Sequence, residues 1–338
     1  MTTQSDRLAT IVRIKEILPI EGADRIVVAK MEDNAWQVVV KKDEFQVGSL
    51  AVYICPDTIV DSSNPALAFM AERKSYVWPC RFKKQLSQGL LMPVQSLAYW
   101  GEVPPIFQGM DVSVFTKTQK YVRPEELTNN PQAESGFPAH LISRTDELNL
   151  LSYPKVLEEL RGKDIVITLK MDGSSGTFFE KENVGFRACS RGQCLKSDAD
   201  NGWNRMAAKY KLATTIANSG LIVQGEIVGP KFNGNKLGLT EEDLFVFDVY
   251  DSKLGVYFSP IRVKMFCDAT GLKSVPILYS GKCEQSIEQL IDFASQQKYA
   301  NGSPAEGIVI RSLDGAYSSE LGKRQSVKVI NPNFGVKK

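Results

Sequence analysis

The chain has 338 residues, 43% of them hydrophobic, and 41 Lys and Arg against 39 Asp and Glu, a net charge of +2. That length and apolar content suffice for two ordinary cores, no apolar run approaches the ~20 residues needed to span a bilayer, and a charge so near zero leaves any nucleic-acid affinity to local patches. The six cysteines, at 55, 80, 189, 194, 267 and 283, form no CxxC pair, and the single histidine, His140, completes no zinc site of usual spacing, so free thiols in a reducing compartment are expected.

The opening MTTQSDRLAT lacks the basic and apolar regions of a signal peptide, which predicts an intracellular protein, cytoplasmic or nuclear. Residues 1–122 then read as strands: LATIVRIKEILPI, DRIVVAKM, AWQVVVKK, SLAVYICP and QGLLMPV are short, rich in β-branched residues and separated by turn signals such as EGAD, MEDN and QVGS. Five such strands predict a small closed barrel of the OB type. Within this module Arg73, Lys74, Arg81, Lys83 and Lys84 interleave with Tyr76, Trp78 and Phe82. Cations for phosphates with aromatics for stacking suit an RNA surface or the pyrophosphate of a nucleotide, although a solvated basic strand pair has the same composition.

Residues 123–136, RPEELTNNPQAESG, are polar and carry Pro and Gly, so they read as a linker. In residues 137–338, YPKVLEEL, NRMAAKYKLATTIA and SIEQLIDFASQQ have helical periodicity, the last with Ser286 as N-cap and Gln289 completing a capping box. Strands separate them, which predicts an α+β domain with antiparallel sheets.

The most informative run is LKMDGSS, Leu169 to Ser175. Residues i and i+2 of a strand share a face, so Lys170 and Asp172 are expected to project into one site, with Gly173 allowing a sharp turn behind them. A free lysine, with a pKa near ~10.4, is a nucleophile only where burial or a nearby cation lowers that value. Four further segments follow in order: CSRGQ (Cys189 to Gln193), QGEIVGP (Gln224 to Pro230), FVFDVYD (Phe245 to Asp251) and AEGIVIR (Ala305 to Arg311). SVKVINP, Ser326 to Pro332, comes last. Singly each has a plainer explanation: Phe247 as core, Glu306 as a solvated strand end, Arg191 and Lys328 as surface cations.

Together these segments resemble the covalent nucleotidyltransferase superfamily of DNA ligases, RNA ligases and mRNA capping enzymes. With only ten residues after Lys328, the C-terminal OB domain of DNA ligases and capping enzymes is not expected. The order of modules resembles instead the RNA nick-sealing ligases of the Naegleria and Deinococcus type. That resemblance implies an OB-like front module followed by an ATP-grasp-like nucleotidyltransferase domain. It implies an ATP-dependent reaction in which Lys170 becomes lysyl-AMP, AMP passes to an RNA 5′-phosphate, and an RNA 3′-hydroxyl displaces it to seal a nick in duplex. By the same resemblance Arg191 contacts the nucleotide near its ribose and Glu226 serves the ribose or the metal. Phe247 stacks on the purine with Asp248 beside it, Lys328 meets the α-phosphate, and Leu169 and Gly173 flank the nucleotide. Asp172, Glu226 and Glu306 surround Mg²⁺ or Mn²⁺. A monomer with no membrane partner is expected.

Two departures stand out. Ser326 and Ile330 flank Lys328 where relatives carry a Lys-x-Lys pair, and Arg311 stands where many have lysine. A GTP-using capping-type guanylyltransferase, a DNA ligase and a non-catalytic tRNA- or RNA-binding protein are the alternative readings.

Overall fold

The computed structural model describes residues 7–121, 130–181 and 184–335. Contacts divide these into two compact units, residues 7–121 with 151–154 and 335, and residues 130–150 with 155–181 and 184–334. The first six residues and half of the segment read as a linker, 123–129, lie outside the described residues.

In the first unit all five strands expected from sequence form and join one sheet, in the order Gln37–Lys41, Ala23–Met31, Ala9–Ile20, Leu50–Ile54, Leu90–Pro93. The long strand Ala9–Ile20 serves two partners because its register shifts after Ile14: residues 9–13 pair with Leu50–Ile54, and the rest pairs with Ala23–Met31. A shift of this kind bends the strand and increases its twist, which lets a short sheet curl on itself. The edges then meet, the Gln88 N–H donating to Gln37 O at 2.8 Å and the Val39 N–H to Ser87 Oγ at 3.0 Å. Ile11, Val52, Ile54, Leu67 and Leu97 fill one end of the unit as core.

The basic and aromatic run folds as the short strands Tyr76–Val77, Cys80–Phe82 and Gln85–Ser87. Lys83 and Lys84 form the tip of the last hairpin. Tyr76 lies between Trp78, 5.4 Å away, and Tyr121, 4.5 Å away, and the Arg73 guanidinium sits 5.8 Å from the Trp78 ring.

The second unit is built on two sheets. One runs Ala133–Gly136, Gln193–Leu195, Gly185–Cys189, Ser174–Lys181, Leu221–Val228, Asp243–Asp251, Val256–Tyr257, with Lys273–Ser274 added parallel to Asp243–Asp251. The other runs Leu148–Asn149, Ser326–Ile330, Gly307–Ser312, Asp164–Lys170, Ile277–Lys282, antiparallel except for its first pair. The sheet therefore begins before residue 137: Ala133–Gly136 is a polar edge strand. Helices Lys155–Leu160 and Ile287–Gln296 stand where periodicity places them, the second with both hydrogen bonds of the Ser286–Gln289 capping box. The remaining helical stretch breaks into Gly202–Lys209 and Leu212–Thr215, because Lys211 adopts a left-handed φ of 49°.

Candidate active site

Strand Asp164–Lys170 lies between Gly307–Ser312 and Ile277–Lys282, and its residues Ile165–Leu169 are all buried. A strand covered on both faces reads as a continuous apolar run, which is why DIVITLK carries its only cation at its end. Lys170, the last residue, pairs with Gly307. The strand stops there, so the i, i+2 argument does not apply to Asp172. The chain leaves one sheet at Lys170 and enters the other at Ser174, and Asp172 reaches the site from the crossing.

Gly173 is needed for a different reason from the one its sequence suggests. A Cβ there would lie 2.0 Å from the carbonyl oxygen of Ile227, so the passing strand leaves no room for a side chain.

Lys170 Nζ makes an ion pair with Glu306 Oε2 at 2.7 Å. Burial pulls the amine's pKa down, but Glu306, Glu226 and Asp172 together outweigh it and hold the lysine above its ordinary value. The surrounding carboxylates thus act against the lowering expected of a lysine nucleophile. Glu226 accepts from the Gly173 N–H at 3.0 Å. Its burial, with the charges of Glu306 and Asp172 adding to it against Lys170, pushes the Glu226 carboxyl up to about 8.

Asp172 is 6% exposed. Its Oδ1 accepts from Asn233 Nδ2 at 2.9 Å, and the same amide donates to Gly173 O at 2.5 Å. Its Oδ2 lies 3.1 Å from Lys236 Nζ, yet the approach is too poorly aligned for a hydrogen bond and leaves that buried oxygen unsatisfied. Lys236 Nζ also sits 3.9 Å over the Phe334 ring. Asn233 and Lys236 were not legible as site residues. Their NGNK run reads as a turn, and nothing local says where the turn docks.

Three carboxylates around one lysine, one of them with a raised pKa and one with a buried oxygen unsatisfied, fit a bound cation. Among the described residues no three His, Cys, Asp or Glu side chains are grouped closely enough to enclose a metal alone. The donor set suits a hydrated Mg²⁺ or Mn²⁺ that takes its remaining ligands from water and phosphate.

The other expected residues separate into two groups. Lys328 pairs with Val309, which pairs with Thr168, and Thr168 shares its face with Lys170, so the two lysines lie on one face of the sheet. Phe247 is half-buried against the cluster of Leu169, Met171 and Val228, at a bulge where the ladder passes from Asp248 to Val246. Leu169 itself is core, 8% exposed. Arg191, on the tight turn Ser190 to Gln193, pairs at the surface with Asp146 at 3.0 Å.

Asp248 is engaged elsewhere. Arg324 donates to it from both terminal guanidinium nitrogens, Nη1 and Nη2, and Arg311 lies 3.6 Å away. Both arginines also reach Glu147, at 3.5 and 3.1 Å. Burial works against the Glu147 charge, but Arg311, Arg324 and Lys323 hold its carboxyl down at about 2. Ser326 accepts from Arg311 Nε at 3.1 Å within the same cluster.

Residues 163–330 match the RNA ligase family, and residues 8–94 match an OB-fold domain. The family's segment runs from the strand bearing Lys170 to the strand bearing Lys328, and so contains Lys170, Asp172, Arg191, Glu226, Phe247, Asp248, Glu306 and Lys328. Among solved structures, Naegleria gruberi RNA ligase with pyrophosphate is similar at 28% identity and a TM-score of 0.82, over 96% of each chain. A mutant of that ligase with ATP and Mn has 27% identity and a TM-score of 0.83, over 96% of this chain and 97% of that one. Another, with AMP and Mn, has 28% and 0.83 over the same shares. Among curated protein sequences none matches significantly.

The raised Glu226 pKa has a measurable consequence. Unfolded, this carboxyl ionises near its ordinary ~4.3; folded, near about 8. Between these values the native state holds a proton that the unfolded chain has released, so this group's contribution to stability is full below the lower value and falls as pH rises through the window. Glu226→Gln keeps an acceptor for Gly173 and removes the titration. In chelator-containing buffer, melting temperatures should shift in the variant's favour from about pH 5 to about pH 8. Parallel pH profiles would sink this.

Proposed function

We propose that this protein is an ATP-dependent RNA ligase that joins 3′-hydroxyl and 5′-phosphate RNA ends, nicks in duplex among them, through lysyl-AMP and adenylylated RNA. The observation that carries the reading is Lys170 at a strand end, paired with Glu306 at 2.7 Å and crowded by Asp172 and Glu226. Lys170 Nζ loses its proton and attacks the α-phosphorus of ATP; the N–P bond forms as the bond to pyrophosphate breaks. The RNA 5′-phosphate takes AMP from Lys170, and the 3′-hydroxyl then displaces AMP as the phosphodiester forms.

Asp172, Glu226 and Glu306 would hold Mg²⁺ or Mn²⁺, which neutralises phosphate charge and offsets the carboxylates that keep Lys170 protonated. Arg191 meets the ribose, Lys328 the α-phosphate and Phe247 the adenine. Support comes from the ATP, AMP, Mn and pyrophosphate held by the similar Naegleria gruberi ligase structures. Incubation with labelled ATP or GTP, then with nicked duplexes whose 3′-hydroxyl strand is RNA or DNA, tests the reading. A covalent adduct with ATP and sealing of the RNA-ended nick are expected. Absence of any adduct would overturn it in favour of a binding protein.

Stacking on an aromatic plate contributes roughly 1–3 kcal/mol. Phe247→Ala should therefore weaken ATP use by about one to two orders of magnitude, and Phe247→Leu by less. Because Phe247 also packs against Leu169 and Met171, melting curves must accompany the ATP titration. An alanine variant that loses stability but not ATP affinity would make Phe247 a core residue only.

A further inference from the structure

Tyr299 is 5% exposed and is named in none of the motifs. Its ring packs in the cluster of Leu169, Met171, Val228 and Leu237, a place any apolar ring of that size would fill. Its oxygen does something else. It donates to the backbone carbonyl of Lys170 at 3.0 Å and accepts from the backbone N–H of Glu306 at 3.1 Å. A tyrosine hydroxyl has one proton to give, and here that proton and a lone pair go to the main chain of the two residues whose side chains form the ion pair.

The segment that presents this oxygen is itself fixed. Tyr299 N–H donates to Ser303 O at 2.9 Å and Ala305 N–H to Gln297 O at 3.0 Å, closing a small hairpin that leads directly into Glu306. The Asn331 N–H then holds Glu306 O at 2.9 Å. From the hairpin tip, Asn301 Nδ2 and Ser303 Oγ both donate to Lys236 O at 2.9 Å, anchoring the loop that faces Asp172.

We propose that Tyr299 is a positioning residue for nucleotidyl transfer, its hydroxyl setting the offset between Lys170 and Glu306. The inference rests on the ligase reading above. Misplacing a reacting group by about 1 Å costs on the order of 100-fold in rate, and Tyr299→Phe removes the oxygen while keeping the ring.

Single-turnover adduct formation with labelled ATP distinguishes this role from a general structural one. Partial unfolding lowers the amount of adduct formed, whereas a misplaced nucleophile lowers the rate constant at full amplitude. Tyr299→Phe is expected to form adduct to the wild-type amplitude, with a rate constant roughly 10- to 100-fold lower and an unchanged dependence on ATP concentration. Sealing of a pre-adenylated nick, which does not use the Lys170 amine, should fall by a smaller factor. An unchanged rate constant overturns the proposal, as does reduced amplitude at the wild-type rate. A variant that fails to fold overturns it too, since the oxygen would then be needed for the fold. If the wild type forms no adduct, it is the ligase reading that fails.

Discussion

Lys170→Met is expected to abolish the covalent nucleotide adduct, a loss on the order of 10⁴-fold or more in the first step. Methionine preserves the length and apolar stem of the side chain while removing the amine. Neither neighbouring amine is placed to substitute for it: Lys236 belongs to a loop pinned through its backbone carbonyl, and Lys328 stands two strands away at the register of Thr168. Glu306 loses its partner in the variant, but it is 19% exposed, so solvent moderates the cost to the fold. Sealing of pre-adenylated RNA should survive in part, because that substrate arrives with its AMP attached. Gel detection of labelled protein and of sealed product measures both. An adduct in the variant would require a different nucleophile.

The second large effect is expected at a residue that sequence alone assigns to the nucleotide. Asp248→Ala should destabilise the second unit by about 3–5 kcal/mol, since removing one partner of a buried ion cluster leaves the other charges uncompensated. Asp248 is 3% exposed and holds Arg324 through two hydrogen bonds. Without it, among the described residues, two guanidinium groups share the one carboxylate of Glu147. Arg191→Ala is the contrasting case. Its pair with Asp146 has side chains 37% and 43% exposed, so stability should change by less than about 1 kcal/mol while ATP affinity falls. Denaturant melts beside ATP titrations would separate the two. A stable Asp248→Ala protein with weakened ATP binding would return Asp248 to the nucleotide site.

These contrasts show where the sequence is legible. The front strands were readable because β-branched runs alternate with turn signals at short spacing, and register follows once one face must be buried. Lys170, Glu226 and Glu306 were named from the order of the motifs that carry them, and the fold brings the three charges together. Ala133–Gly136 was missed because AESG has no apolar alternation, its pairing being imposed by Gln193–Leu195. The ion cluster around Asp248 was not legible because its arginine partner, Arg324, is 76 residues away in sequence, a separation that no local pattern encodes. Tyr299 was invisible for a related reason. A buried tyrosine is ordinary, and only the positions of two distant backbone groups reveal what its oxygen holds.

The pairing of Lys170 with Glu306 also bears on chemical selectivity. An ammonium has no lone pair to offer, so a Lys170 held protonated by its carboxylates is expected to react poorly with acyl phosphates, aldehydes and isocyanate, electrophiles that modify ordinary exposed lysines. Competitive acetylation followed by mapping should find the exposed lysines Lys41, Lys42 and Lys84 modified well before Lys170. Basicity is released only when incoming positive charge competes for the surrounding carboxylates. Conditional reactivity of this kind would spare Lys170 from misplaced acylation until such a charge arrives.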